Sequence, residues 1–344
     1  MKKYILSIII TLGVVAAALT GCGTEKVSES VETEEAVQTQ VRELKKLNVA
    51  YMPNYGSLWS IVNAIEAGYM EEEGIEVNLI EFKDGPTIIA ALKSAAIDIG
   101  YIGQGAHKLC MQGEAKIFAL SHISNADMVI GGPKVNSIED LNGRRVAYVE
   151  NTSSEEILVN SLKMAGMSLE NIDAIDMDPD RLTSAIETGG VDAVAVWSPY
   201  SLEILKNVKG TKKLTDNMTF AEETLSLASW VVTPEFAEEN KGILVDFTRA
   251  LFRAMDDAAN QNQKQTASLI AKQLSISEEE VYEQRGDAQW LTGKEVASGA
   301  ESGIVRVYYE LQKQSFLDSG VISEGLQVDD YVMFDIMTRA GAYY

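Results

Sequence analysis

Hydrophobic and polar positions alternate in two rhythms along most of the chain. Short apolar runs and period-two alternations predict strands, whereas apolar residues at three- and four-residue spacing predict helices. The expected strands cover residues 47–52, 75–79, 97–102, 116–123, 145–150, 172–177, 191–197 and 226–233. Helices are expected at residues 61–74, from Gly85 onward, at 153–166 and at 181–187. This order is typical of parallel sheets covered by helices, the α/β class.

The alternation restarts after Gly131-Gly132-Pro133, which predicts two units. Residues 137–140 have the form of a capping box before a short helix. From Glu235 to the C-terminus the pattern is almost wholly helical, and we expect this tail to cover the first sheet. The predicted organisation is a first lobe from residues 47–131 and 232–344 and a second lobe from residues 132–231.

The N-terminus has the features of a targeting segment. Lys2 and Lys3 precede an apolar run at residues 5–19, as in a secretory signal peptide. The following Leu19-Thr20-Gly21-Cys22 resembles the cleavage box of bacterial lipoproteins, which predicts a signal peptide at 1–21 and a lipid on Cys22. An ordinary signal peptide with a chance cysteine is the alternative. We expect residues 22–46, polar and without periodicity, to form a flexible tether.

These segments predict a protein held by lipid on the extracytoplasmic face of the cell membrane, either at the cell surface or in a periplasm. An exposed short helix is the alternative for the tether.

Composition narrows the functional classes. The chain has 344 residues, of which 46% are hydrophobic, and 29 Lys and Arg stand against 51 Asp and Glu. The net charge of −22 argues against binding to nucleic acid. Two histidines and two cysteines are too few for a zinc site or a disulfide framework, so no metal or cofactor is expected. Cys110 is interpreted as a buried apolar residue, and His107 and His122 as ordinary polar residues.

Open α/β sheets bind ligands outside the carboxyl ends of their strands. Five segments at such ends combine small, hydroxyl, amide and aromatic residues: 54–59, 84–87, 103–106, 151–155 and 197–200. Helix capping alone also favours several of these residue types, and Trp197 and Trp230 could equally belong to the core. The candidate ligand-binding residues are Asn54, Tyr55, Ser57, Trp59, Gly85, Thr87, Gly103, Gln104, Asn151, Thr152, Ser153, Ser154, Glu155, Trp197, Tyr200 and Trp230.

Catalytic motifs are missing from the sequence. It contains no G-x-S-x-G elbow, no H-E-x-x-H, no P-loop and no G-x-G-x-x-G after the first strand. Its acidic pairs are mostly adjacent or in solvated runs, as at residues 278–280. The sequence therefore predicts a binding protein rather than an enzyme.

Seven segments in order resemble one known family. They are the lipoprotein box, residues 47–51, 67–77, 85–86 and 95–100, residues 138–147, and residues 192–199 with the sequence Asp-Ala-Val-Ala-Val-Trp-Ser-Pro. Together they resemble the substrate-binding proteins of ABC transporters of the nitrate, sulfonate and taurine type. The resemblance runs from about residue 47 to 330.

The resemblance implies a type II periplasmic-binding-protein fold. Such proteins have two lobes joined by two crossovers, and they close on a solute that is passed to a membrane permease driven by an ATPase. The family's ligand site lies at the same strand-end segments. We expect a monomer whose partners are a small solute, the permease and ATPase, and the membrane through its lipid.

The solute is left open by the departures from the family. Glu155 lies in one candidate loop, and none of the five loops contains Arg or Lys, so an anion would have to rely on helix N-termini. A sulfonate-like or nitrate-like anion and a neutral or cationic heterocycle between Tyr55, Trp59, Trp197 and Tyr200 are both retained. The family also includes thiamine-pyrimidine proteins, some of them enzymes with a cysteine-rich stretch that this chain lacks. An enzyme on this scaffold and a ligand-sensing surface lipoprotein are the alternative functions.

Overall fold

The computed structural model describes residues 43–260 and 262–343. The predicted signal peptide at 1–21, the predicted lipid-bearing Cys22 and the predicted tether up to residue 42 lie outside the described residues. The first strand already begins at Lys45, so Lys45 and Lys46, which the prediction assigns to the tether, are part of β1.

Strands and helices alternate through the first two thirds of the described chain. The strands are β1 Lys45–Tyr51, β2 Ile75–Glu81, β3 Ile99–Ile102, β4 Lys116–Ser124, β5 Met128–Gly131, β6 Arg145–Tyr148, β7 Asp173–Asp176, β8 Ala193–Val196, β9 Lys212–Asp216, β10 Ser226–Val232 and β11 Ala288–Gln289. The helices are α1 Tyr55–Glu66, α2 Tyr69–Glu72, α3 Gly85–Lys93, α4 His107–Met111, α5 Ser153–Met164, α6 Pro179–Glu187, α7 Tyr200–Asn207, α8 Pro234–Glu239, α9 Lys241–Asn260, α10 Gln263–Leu274, α11 Glu278–Glu283, α12 Gly293–Ser302, α13 Ile304–Ser319, α14 Val328–Tyr331 and α15 Phe334–Gly341.

The predicted α/β class is confirmed, with two mixed sheets. The first has the strand order β11-β4-β10-β3-β1-β2, and the second has the order β7-β6-β8-β5-β9. In each sheet three strands run parallel, β2-β1-β3 and β7-β6-β8, and the next strand, β10 or β5, is antiparallel to them. The two sheets therefore repeat one plan, as the restart of the sequence pattern predicts.

The chain crosses between the sheets twice. Residues 125–127 lead from β4 in the first sheet to β5 in the second, and residues 217–225 lead from β9 back to β10. We call residues 43–124 and 226–343 lobe 1, and residues 128–216 lobe 2. The lobe boundaries predicted at 131/132 and 231/232 lie one strand too far along the chain. The chain passes between the sheets before β5 and before β10, so β5 belongs to lobe 2 and β10 to lobe 1.

Helices of the C-terminal tail cover the first sheet, as predicted. The long helix α9 places Phe247 edge-on against Phe118 of β4 and Trp230 of β10, with ring centroids 5.9 Å apart in both pairs. The tail is not wholly helical, because β11 pairs antiparallel with β4 at Ser124 and Ile123. None of the helices within the described ranges is both long and apolar enough to cross a bilayer.

Two elements had little local signal. Strand β5 is only four residues long and ends at the glycines that the pattern assigns to a turn, while β9 is an edge strand with two lysines and an aspartate among its five residues. The predicted helix at 61–74 is interrupted at Gly68, whose positive φ of 75° separates α1 from α2. Residues 137–140, predicted as a capping box, lead into one short 3-10 turn at Glu139–Leu141. The Asp140 side chain accepts the Asn136 N–H.

The two lobes meet closely at Gly105. This residue lies in the 3-10 turn Gln104–Ala106 of lobe 1, which packs on the N-terminus of α5 in lobe 2. A Cβ atom at Gly105 would lie 2.0 Å from the carbonyl carbon of Thr152 and 2.1 Å from its oxygen. Backbone cannot yield as a flexible side chain can, so only glycine allows this approach.

We expect Gly105→Ala to force the turn away from α5 and to lower the free energy of unfolding by about 1–3 kcal/mol. Gly103→Ala is the matched control, because its Cβ would meet nothing within 4 Å and its φ of −88° suits alanine. Small-angle scattering should report a larger radius of gyration for the Gly105 variant alone. Identical scattering by both variants and the native protein would contradict this packing.

Candidate functional site between the lobes

A cavity with about 640 Å³ of empty space, including its opening to solvent, lies between the two lobes. All five strand-end segments predicted from the sequence contribute to it. The predicted residues that line it are Asn54, Gly85, Gly103, Gln104, Thr152, Ser153 and Trp197. The carboxyl ends of parallel strands meet at one edge of each sheet, and the two edges face each other across this cavity.

Three predicted aromatic residues are instead part of the core behind the cavity. Tyr55 and Trp59 of α1 are almost wholly buried, and the Trp59 indole Nε1–H donates to Ser121 Oγ at 3.0 Å. Trp230 of β10 is fully buried between Tyr101 and Phe247. Their role at the site is to support the rings that do line it.

Three predicted hydroxyl residues stabilise helix starts. Ser57 accepts the Met52 N–H at 2.8 Å, and Thr87 donates to the Asp84 carbonyl at 2.9 Å. Ser154 donates to the Ala195 carbonyl at 2.7 Å and so joins α5 to β8. The caps themselves are Asn54, Asp84 and Thr152, whose side chains accept N–H groups in the first turns of α1, α3 and α5.

The remaining predicted residues lie beside the cavity. Asn151 has a left-handed backbone with φ 62°, and its N–H donates to Glu155 Oε2 at 2.9 Å. Glu155 also pairs with Lys108 at 2.7 Å. Tyr200 packs edge-on against Trp197, with ring centroids 6.2 Å apart, and thereby orients the indole that reaches the cavity.

The structure adds lining residues that the sequence interpretation missed. They come from β3, β4, the first crossing, the start of β10 and the segments on either side of β11, and they include Tyr101, His122, Ser124, Asp127, Ser226, Gln284, Asp287 and Trp290. Gln284, Asp287 and Trp290 were missed because the sequence pattern assigned the C-terminal tail almost wholly to helix. Local signals existed, since Asp127 stands directly before the apolar run of β5 and Trp290 follows the Arg-Gly-Asp sequence at 285–287.

A hydrogen-bonded chain runs through His122. Its Nδ1 is 3.1 Å from Ser121 Oγ, and its Nε2 is 3.4 Å from Tyr101 Oη. Since Ser121 Oγ accepts from Trp59, its own proton is available to His122 Nδ1, which leaves the proton of the neutral ring on Nε2. Burial lowers the pKa of His122 to about 3, so the imidazole is neutral at physiological pH.

Trp290 is the centre of an aromatic wall on lobe 1. Its ring centroid is 5.0 Å from those of Tyr55, Trp59 and His122. Its indole N–H donates to the Arg285 carbonyl at 2.8 Å, which fixes the ring. Trp197 supplies an aromatic surface from lobe 2, so a planar solute would have rings on both sides.

Asp127 joins the two crossings at the base of the cavity. Its backbone N–H donates to Asn217 Oδ1 at 2.8 Å, while its Oδ2 accepts from Asn217 Nδ2 at 3.0 Å and from Ser226 Oγ at 3.1 Å. The residue is only 2% exposed. Burial raises the pKa of its carboxyl above the ordinary value, although these hydrogen bonds favour the ionised form.

Asp287 is a second carboxylate of the lining, on the loop before β11. Burial, together with the negative charge of Asp127, raises the pKa of Asp287 to about 6. Its backbone carbonyl accepts the Asn125 N–H at 2.6 Å and so attaches this loop to the first crossing. The cavity lining contains no Lys or Arg within the described chain.

The Cys110 thiol and the His107 imidazole lie away from the cavity. Cys110 is buried, as predicted, and burial raises the pKa of its thiol. His107 Nδ1 lies 2.8 Å from Gln312 Oε1, deep in lobe 1. Across residues 43–260 and 262–343, no group of three or more His, Cys, Asp or Glu is placed to hold a metal ion.

Known proteins share both the sequence and the fold of this chain. A Brucella abortus protein named only as a binding protein is 27% identical over 292 residues, covering 85% of this chain and 91% of the relative. The taurine-binding periplasmic protein of Escherichia coli is 26% identical over 190 residues, covering 54% of this chain and 58% of the relative.

Solved structures agree with the predicted two-lobed fold. The alkanesulfonate-binding protein SsuA of Xanthomonas axonopodis, bound to MOPS, superposes with a TM-score of 0.65 at 17% identity, covering 85% of this chain and 99% of that one. The desulfurization enzyme DSZB superposes with a TM-score of 0.62 at 13% identity, covering 87% and 99%. The fold, the periplasmic-binding-protein fold, is thus shared by binding proteins and at least one enzyme.

The model of one family, NMT1/THI5 like, matches residues 57–265. This match spans more than half of the chain, from α1 through both crossings to α10. The protein therefore belongs to the NMT1/THI5-like family.

Proposed function

We propose that this protein is the extracytoplasmic solute-binding component of an ABC importer. The observation that carries the proposal is the inter-lobe cavity, lined by strand-end segments of both sheets, by the first crossing and by the start of β10. A solute there would be enclosed when the lobes approach and released when they part. The partners would be a permease and its ATPase, and the binding protein itself would act as a monomer.

Contacts across the cavity support closure as the working motion. Lys108 of lobe 1 pairs with Glu155 of lobe 2 at 2.7 Å, and Lys206 of lobe 2 pairs with Glu283 of lobe 1 at 3.1 Å. Lys83 and Asp178 form a third pair between the lobes. The latter two pairs are exposed and individually weak, so a modest change in interactions at the cavity could shift the balance between open and closed forms.

The enzymatic alternative draws on the fold shared with the desulfurization enzyme. The chemistry of the cavity favours binding instead, because the low pKa of His122 makes its ring a weak base for taking a proton. Ser121, the hydroxyl next to that ring, is fully buried and already accepts from Trp59. A ligand-sensing surface lipoprotein would use the same cavity and would differ only in its partner.

We expect a thermal-shift screen of residues 23–344 to reveal one stabilising solute class among sulfonates, nitrate, thiamine pyrimidine, flavins and small amines. Ligand at a hundred times its dissociation constant stabilises the folded protein by about 2.7 kcal/mol. Trp197→Ala should lose most of that rise, because it removes the lobe 2 aromatic surface.

Met218→Ala, an exposed side chain outside the cavity lining, is the control and should keep the rise. Conversion of the bound solute to product would favour the enzyme. If protein shown to be free of ligand responds to no compound, the solute-binding function would be wrong.

The membrane attachment forms a separate part of the proposal. Lipid on Cys22 would hold the protein on the extracytoplasmic face, where relatives named as periplasmic also work. Several acyl chains on one residue bind a bilayer firmly, since each buried CH₂ contributes roughly 0.8 kcal/mol.

We expect Cys22→Ser to move the protein from the membrane fraction to the soluble extracytoplasmic fraction. Mass spectrometry of the native protein should show a diacylglycerol adduct on the peptide that begins at Cys22. Cys110→Ser is the matched control and should leave the fractionation unchanged. Membrane retention of the Cys22 variant would contradict lipid anchoring at this residue.

A further inference from the structure

The charged residues that line the cavity in the described part of the chain are all acidic. Asp127 and Asp287 line it, and no Lys or Arg lines it within the described residues. Two basic side chains on segments that neighbour the lining have other contacts. Lys108, whose side chain is 9% exposed, pairs with Glu155, and the Arg285 guanidinium lies 4.2 Å from the centre of the Tyr282 ring. A bound anion would therefore meet two acids without a cationic partner.

The hydrogen bonds to Asp127 do not remove its charge. Asn217 and Ser226 are neutral donors, so they orient the carboxylate and favour its ionised form, against the burial that raises its pKa, without adding a positive charge. Asp287 lies close enough to Asp127 for their charges to oppose each other. A ligand cation that reached both carboxylates would relieve this repulsion.

The walls of the cavity suit the same kind of ligand. Trp290, Trp197 and Tyr101 present aromatic rings, whose faces attract cations through their quadrupoles. His122 contributes a neutral ring rather than a positive charge. The rings and the acids therefore favour one class of solute.

A separate buried acid, Glu156, adjoins the cavity. Glu156 is 2% exposed, and neither carboxyl oxygen has a hydrogen-bond partner in the described part of the chain. It lines a small side cavity of about 270 Å³ that shares Gln104, Ser153 and Ser226 with the main cavity. Burial, with the negative charge of Glu155, raises the pKa of Glu156 well above its ordinary value, so the group is a neutral acid that adds a polar contact and no charge beside the cavity.

We propose that the solute is a small organic cation with a planar or compact apolar part, and that Asp127 and Asp287 accept hydrogen bonds from its positively charged nitrogen group. This inference rests on the solute-binding function proposed above and specifies its substrate class. It differs from the sulfonate and taurine that the names of the relatives assign to those proteins.

The test compares three probe classes by calorimetry at pH 7.5 on protein freed of ligand. The cations are arylmethylamines and amidines, the neutral probes are matched alcohols and amides, and the anions are matched sulfonates, carboxylates and nitrate. We expect cations to bind at least tenfold more tightly than their neutral and anionic counterparts. Asp287→Asn should weaken cation binding by at least tenfold.

Glu279→Gln is the matched control, because it removes the same charge from the exposed surface of α11, outside the cavity lining. It should bind cations like the native protein. Native protein should also lose cation affinity between pH 7.5 and 5, as Asp287 takes up a proton, whereas Asp287→Asn should show a flatter profile. Facing groups include Asp127, whose pKa burial also raises and whose protonation would add to the same loss, and His122 and Tyr101, which stay uncharged in this range.

The outcomes separate the two proposals. Tight binding of a sulfonate or nitrate without cation binding would overturn the cationic solute and leave the solute-binding function standing. The absence of binding by all three classes would contradict both.

Asp287 also allows a test without any ligand. Its pKa in the folded protein, about 6, lies above the ordinary value, so the cost in stability develops as pH rises from the ordinary pKa, where the unfolded chain ionises, to about 6, and it is complete above that. We expect Asp287→Asn to melt about 5 °C higher than native protein at pH 7.5 and to keep about a third of that difference at pH 4.5. Equal melting at both values would mean that a protein cation already compensates Asp287, which would overturn the proposal.

Discussion

The hydrogen bonds of Asp127 tie together the only two places where the described chain passes between the sheets. Its N–H and its carboxylate bind Asn217, 90 residues away, and the same carboxylate accepts from Ser226 at the start of β10. Both crossings are thereby held side by side. The positions of the two sheets, and hence the width of the cavity between them, depend on this buried polar contact.

The structural contact and the recognition chemistry use the same carboxylate. Burying an acid is costly unless partners compensate it, and here the partners orient the charge without neutralising it. Asp287 adds a second acid on a loop that is attached to the first crossing through the Asn125 N–H. A change of charge in the cavity therefore acts directly on the two crossings, the segments about which the lobes would move.

Sequence patterns were sufficient for the parts of the site that depend on local structure. Strand ends and helix starts carry capping and turn residues, so all five predicted segments reach the cavity. Their residues divide in a way that the pattern cannot resolve, because Trp59 and Trp197 both follow strands and are both buried, yet only Trp197 lines the cavity. Asp127 and Trp290 were missed because their roles arise from partners far away in sequence, across the crossings and β11.

The shared fold constrains where a solute binds and leaves its charge to a few side chains. Here the helix starts still offer N–H groups, but Glu155 occupies the first turn of α5 and already binds Lys108. With that cation engaged, closing on an anion would bring Asp127 and Asp287 against a like charge in a medium that screens it poorly. Closing on a cation would reduce their mutual repulsion, so solute charge and lobe closure would favour one another.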